Sequence, residues 1–138
     1  MKQIFINLPV NDVEKSMQLY LALGFTANPL FTDEQQKCVI WSDAIYLMIQ
    51  TKEFSNSYLK KTNTDTNQIL TSSHTLPVES IKKVDEILDK ALKAGANEPV
   101  APLKEDFMYL RTIEDLDGYL WGIMYIDLAK FKIVKQKI

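Results

Sequence analysis

Leu8-Pro9-Val10-Asn11-Asp12-Val13-Glu14 decides the fold, because its first three residues recur as Leu76-Pro77-Val78, 68 residues further along a chain of 138. Each copy leads into an amphipathic stretch that ends at a glycine. The first runs from Asn11 to Leu23 and meets Gly24-Phe25; the second runs from Ser80 to Ala94 and meets Gly95-Ala96. A tripeptide alone recurs by chance. A tripeptide followed twice by a capped helix and a closing glycine marks an internal repeat. Asn11 is read as the first N-cap, with Glu14 at capping-box spacing. Val13, Met17, Tyr20 and Leu21 share a helical face, and Ile81, Val84, Ile87, Leu88, Ala91 and Leu92 form the second stripe. Gly24 and Gly95 suit the left-handed position that ends a helix.

Strand signals surround both helices. Gln3–Leu8 and Gln68–Leu76 precede them. Phe25–Phe31, Lys37–Trp41 and Ile45–Gln50 follow the first, while Glu98–Leu103, Phe107–Ile113 and Tyr119–Ile126 follow the second, with Asp117-Gly118 as a turn between the last two. The expected fold class is α+β: two βαβββ modules with internal pseudo-two-fold symmetry, forming a cupped mixed sheet around a cavity. One domain is expected over residues 1–138, with module one at about 3–50, a linker at about 52–67, module two at about 68–127 and a Lys-rich tail at 128–138. Glu53–Lys61 within the linker reads as a short helix, and the tail as a solvated terminal helix or edge strand.

Composition removes several classes of function. Apolar residues make up 46% of the chain and charged residues 25%, as in ordinary globular domains. Sixteen basic side chains against eighteen acidic ones leave a net charge of −2, with no overall pull toward nucleic acid or an anionic membrane. The start, MKQIFINLPVND, does not read as a signal peptide, and no apolar run reaches membrane-spanning length, so a cytoplasmic location is expected. Cys38 is the only cysteine and His74 the only histidine, which excludes a disulfide framework and any site needing two imidazoles from one chain. No P-loop, G-x-G-x-x-G or G-x-S-x-G occurs.

The doubled unit resembles the vicinal oxygen chelate superfamily, which includes glyoxalases, bleomycin-resistance proteins and extradiol dioxygenases. The resemblance is carried by Asn7 to Ser16, by the helix end Tyr20-Leu21-Ala22-Leu23-Gly24-Phe25, and by Glu114-Asp115-Leu116-Asp117-Gly118-Tyr119-Leu120-Trp121, which looks like that superfamily's D-P-D-G-x-x-x-E signature. It implies a homodimer of cupped modules around a cavity. In metal-dependent members it also implies ligands on the first and last strands of each module. Those positions hold Phe5, Met48, Ser73 and Gly122 here, none of them an imidazole or carboxylate. No metal and no other cofactor is therefore expected within one chain. A partner subunit supplying Glu105, Asp106 or Glu114 is the remaining route to a metal site.

Strand alternation nominates the walls of a ligand cavity. Phe5 and Asn7 share a face of the first strand, Tyr46, Met48 and Gln50 one of the fourth, Ser73 and Thr75 one of the fifth, and Leu120, Gly122 and Met124 one of the last. That parity sends Trp121 and Ile123 to the core and His74 away from the cavity. Asn7 needs either a backbone partner or a ligand if it is buried. Phe107, Tyr109 and Arg111 share a face, and two readings stand for Arg111, the only arginine: it binds a carboxylate or planar ligand, or it pairs with Glu114, Asp115 or another acid at a sheet edge. Glu105 and Asp106 read as a general base, as entrance charges or as solvated loop acids. Asp115 and Asp117 read as turn residues, and Cys38 as a buried small hydrophobe.

The expected function is binding of a small organic molecule in a metal-free cavity walled by Phe5, Asn7, Tyr46, Met48, Tyr109, Arg111, Leu120 and Met124. A metal-dependent lyase or dioxygenase with relocated ligands is the alternative. A dimeric interaction protein whose cavity is filled by its own side chains is a further one.

Overall fold

The computed structural model describes residues 1–136; Lys137 and Ile138, the end of the expected tail, lie outside the described residues. The chain divides into two compact units, residues 1–69 and 70–138. The first holds β1 (Ile4–Val10), α1 (Val13–Leu23), β2 (Thr26–Ala27), a 3-10 turn (Pro29–Phe31), β3 (Gln36–Ser42), β4 (Ile45–Thr51) and α2 (Lys52–Leu59). The second holds β5 (Ser73–Pro77), α3 (Ile81–Lys93), β6 (Leu103–Glu105), β7 (Met108–Glu114), β8 (Leu120–Ile126) and α4 (Leu128–Gln136).

The repeat in the sequence is a repeat in topology. The strand orders are β1-β4-β3-β2 and β5-β8-β7-β6, so each module places its first strand beside its last. That pairing is parallel in both modules, while the remaining pairings are antiparallel. This is the α+β architecture of two βαβββ modules expected from the sequence.

Local chemistry explains where the elements start and stop. Asp12, not Asn11, caps α1: its side chain accepts the Lys15 N–H at 3.0 Å, which puts Glu14 out of capping-box register. Ser80 caps α3 in the same way through the Lys83 N–H at 3.0 Å. Gly24 and Gly95 take φ of 115° and 108°, where a side chain would be strained. β2 is cut to two residues because Asn28 caps the Pro29 turn instead of continuing the strand. β6 begins only at Leu103, since Pro99 and Pro102 have no N–H to offer a ladder. Thr51 caps α2 through the Phe54 N–H at 3.1 Å, two residues upstream of the helix start expected at Glu53.

The core of each unit lies between its helix and one face of its sheet. In the first, Leu19, Tyr20 and Leu23 meet Leu8, Val10, Val39, Leu47 and Ile49. The buried stripe of α1 is thus shifted from the expected Val13/Met17/Leu21 face, with Tyr20 common to both. In the second, Val84, Ile87, Leu88 and Ala91 meet Ile113, Trp121 and Ile123, while Ile81 and Leu92 at the stripe's edges are exposed. Burying each of the larger aliphatic side chains contributes about 1.5–3 kcal/mol, which is what holds α3 to its sheet. Among the described residues no helix is long and apolar enough to cross a membrane.

Candidate functional site

Helix packing claims one face of each sheet, so any site must use the other. In the first unit that open face carries Phe5 opposite Tyr46 and Asn7 opposite Met48, with Cys38 and Ile40 beside them on β3. Phe5 and Tyr46 stack at 4.5 Å with planes 16° apart, and Phe31 meets Phe5 edge-on at 6.3 Å. Phe5 is 43% exposed. Asn7 is exposed as well, so water satisfies it and the cost of burying its amide does not arise. Further along, the Gln50 side chain donates to the Tyr58 hydroxyl at 2.9 Å, which fastens α2 to the sheet. Cys38 is fully buried; burial pushes its thiol pKa up, partly offset by a hydrogen bond with Asn28.

The open face of the second sheet is built from three cross-strand rows. Ser73, Leu120 and Glu114 are in register, then Thr75, Gly122 and Thr112, then Pro77, Met124 and Leu110. Together with Pro99 and Val100, most of these residues line a pocket of about 410 Å³. Gly122 is its floor. A methyl group built there would come within 3.0 Å of the Leu110 side chain and 3.1 Å of the Thr75 hydroxyl. The missing side chain therefore makes the concavity, with a threonine on either side.

Leu120 and Met124 lie on this face as expected, with Leu120 directly lining the pocket. Tyr109 and Arg111 do not, which corrects their assignment as cavity walls. They stand opposite Tyr125 and Ile123 on the face toward α3. Arg111 there donates to both Glu98 carboxylate oxygens, from Nε at 2.8 Å and Nη2 at 2.7 Å, and to Asp85 from Nη1 at 3.0 Å. Tyr109 donates its hydroxyl to the same Asp85 oxygen at 2.7 Å. The acid-pairing reading of Arg111 holds, with partners on α3 and before β6 rather than in the β7–β8 turn.

The electrostatics follow that network. Hydrogen bonding to Glu98 pushes the Arg111 pKa further up, and the guanidinium holds Glu98 below the ordinary carboxylate value. The Tyr109 hydroxyl, then Arg111, hold Asp85 down, while burial and the Asp85 carboxylate push Tyr109 up. Arg111 is a satisfied strut rather than a ligand hand.

His74 also faces the helix side, its ring 4.9 Å from that of buried Trp121, and desolvation lowers its pKa. Asp115 ties the β7–β8 turn by accepting the N–H groups of Asp117 at 2.9 Å and Tyr119 at 2.8 Å. Gly118 completes that turn at a φ of 89°. The four positions where metal ligands are implied present a phenyl ring, a thioether, one hydroxyl and no side chain. No three His, Cys, Asp or Glu side chains gather around a common point among the described residues. The donor set does not fit a Zn²⁺, Fe²⁺ or Mn²⁺ ion.

Thr112, Glu114, Leu110, Pro99 and Val100 were not nominated from the sequence as cavity walls. The signal for the three β7 residues was the turn: antiparallel strands closed around Asp115–Tyr119 set Glu114 opposite Leu120, so Gly122 must face Thr112. Pro99 and Val100 arrive from a segment with no periodicity to read.

Residues 2–41 match the family model for the bleomycin resistance protein-like N-terminal region. No curated protein matches the chain. Among solved structures, a hypothetical protein from S. aureus is 24% identical, aligned over 91% of this chain and 94% of its own, with a TM-score of 0.75. A glyoxalase/bleomycin resistance protein/dioxygenase family enzyme from Burkholderia phytofirmans is 14% identical over 91% and 99%, with a TM-score of 0.74. A glyoxalase-related enzyme from Fulvimarina pelagi is 15% identical over 91% and 88%, with a TM-score of 0.75. At these identities the likeness establishes the fold.

Proposed function

From the premise that the chain has the vicinal oxygen chelate fold, we propose that it binds a small organic molecule on the open face of its second sheet, without a metal ion. The observation that carries this is the pocket of about 410 Å³ whose floor is Gly122. Its volume lies within the usual range for small-molecule sites. Apolar walls from Leu110, Leu120, Pro99 and Val100 combine with the polar side chains of Ser73, Thr75, Thr112 and Glu114, the mixture that gives a ligand contact area and orienting hydrogen bonds.

The test is a thermal-shift screen of chelator-treated protein against a broad small-molecule library, alongside elemental analysis of untreated protein. The account expects ligand-dependent stabilisation that is unchanged by chelator. Near-stoichiometric zinc, iron or manganese that survives dialysis and is required for those shifts overturns it in favour of a metal-dependent enzyme.

A homodimer is part of the proposal. β1, β2, β5 and β6 each end a sheet order, and open strand edges are usually covered by pairing or packing. Sedimentation equilibrium is expected to give twice the chain mass; a monomer throughout the concentration range contradicts it.

A further inference from the structure

The pocket over Gly122 has one formally charged side chain among its described lining residues, and that charge is negative. Glu114 is partly buried, in register with Leu120 and Ser73. Among the described residues its carboxylate has no ion pair: the resolved bridges use Glu14, Asp85 and Glu98. The nearest strand arginine cannot serve it, because Arg111 points to the opposite face and is held by Glu98 and Asp85.

Resting on the small-molecule reading above, we propose that the ligand carries a cationic nitrogen donor, an ammonium or amidinium, seated on Glu114, with its neutral part over Gly122. A carboxylate only accepts hydrogen bonds, whereas the hydroxyls of Ser73, Thr75 and Thr112 both donate and accept. The site thus has a surplus of acceptors, which an N–H-rich cation satisfies. Apolar walls strengthen the attraction of opposite charges and penalise an anion equally. Carboxylate and phosphate ligands are thereby disfavoured, as no lysine or arginine among the lining residues answers them.

The experiment is an amide-resolved NMR titration of the whole chain with three probes sharing one ring: benzylamine, benzyl alcohol and benzoate. Benzylamine is expected to shift amides of β5, β7 and β8, to bind roughly tenfold more tightly than benzyl alcohol, and to weaken with added salt as an ion pair does. Benzoate is expected to bind weakest. Glu114→Gln, which keeps shape and removes charge, is expected to bring the amine and alcohol affinities within about twofold of each other. Should that variant fail to fold, the wild-type ranking and its salt dependence carry the test. Benzoate binding as tightly as benzylamine, or an amine preference that survives in Glu114→Gln or ignores salt, overturns the assignment. Equal binding of all three probes in the pocket removes the cation and spares the small-molecule reading; shifts from none of them remove both.

Discussion

Replacing Arg111 by alanine tests the correction on which the site's placement depends, because it asks whether this arginine is a strut or a hand. Arg111 and Glu98 keep only 14% and 19% of their side-chain surface exposed, whereas Asp85 keeps 47%. Breaking a fully buried pair by removing one partner costs about 3–5 kcal/mol, and hydrogen bonds to charged groups are worth about 1.5–3 kcal/mol. Glu98 falls near the buried limit and would be stranded, while water would re-solvate much of Asp85. Arg111→Ala is therefore expected to cost about 3 kcal/mol, Glu98→Gln about 1–2 kcal/mol and Asp85→Asn less than about 1 kcal/mol.

Urea unfolding followed by circular dichroism reads these as midpoint shifts at constant slope. In a heat scan the alanine variant should melt roughly 12 °C lower, at about 4 °C per kcal/mol for a chain of this size. The pH dependence carries a sign. Both carboxyl groups titrate below their ordinary values in the folded state, so their contribution is complete above the ordinary carboxylate range. It is lost as pH falls through the lowered values, and Arg111→Ala should flatten that acid limb. A cost below about 1 kcal/mol, or Asp85→Asn costing more than Glu98→Gln, would refute the strut and return Arg111 to the ligand.

Two further outcomes follow from the same geometry. Asp115→Ala removes the acceptor of two buried N–H groups in the β7–β8 turn, and should cost about 2–3 kcal/mol in urea unfolding; an unchanged midpoint would show the turn to be held by its backbone hydrogen bonds and Gly118 without that carboxylate. Burial lowers the pKa of His74, so its neutral form is favoured in the folded state and stability should decline as pH falls from its ordinary value through the lowered one. His74→Phe should abolish that limb in a pH-resolved melting series, and a limb identical to wild type would place the titrating group elsewhere.

Both helices, the doubled order of strand, helix and strands, and the core stripe of α3 were legible because repeat, glycine stops and apolar periodicity agree: the Leu-Pro-Val recurrence, Gly24 and Gly95, and the Val84/Ile87/Leu88/Ala91 stripe. The alternation in β8 correctly separated Leu120, Gly122 and Met124 from Trp121 and Ile123. It failed for β7 because the aromatic flanks of Arg111 suggested a site on their own, whereas the parity carried across the Asp115–Tyr119 turn assigns the open face to Leu110, Thr112 and Glu114. The acids that claim Arg111 lie 13 and 26 residues away along the chain, and no local spacing announces them. Asn11 and Asp12 are chemically equivalent caps, so only the backbone turn chose between them. Pro99 and Val100 reached the pocket by the path of an irregular segment, which leaves no period in the sequence.

We propose the face over Gly122 as the seat of the ligand. Crystals of chelator-treated protein grown with the most stabilising compound from the thermal-shift screen test it most directly. The account predicts electron density for that compound between Thr75 and Thr112, within hydrogen-bond reach of Glu114 and with no metal bridging it to the protein. Density against the Arg111 cluster, or a compound held through a metal ion, would contradict it.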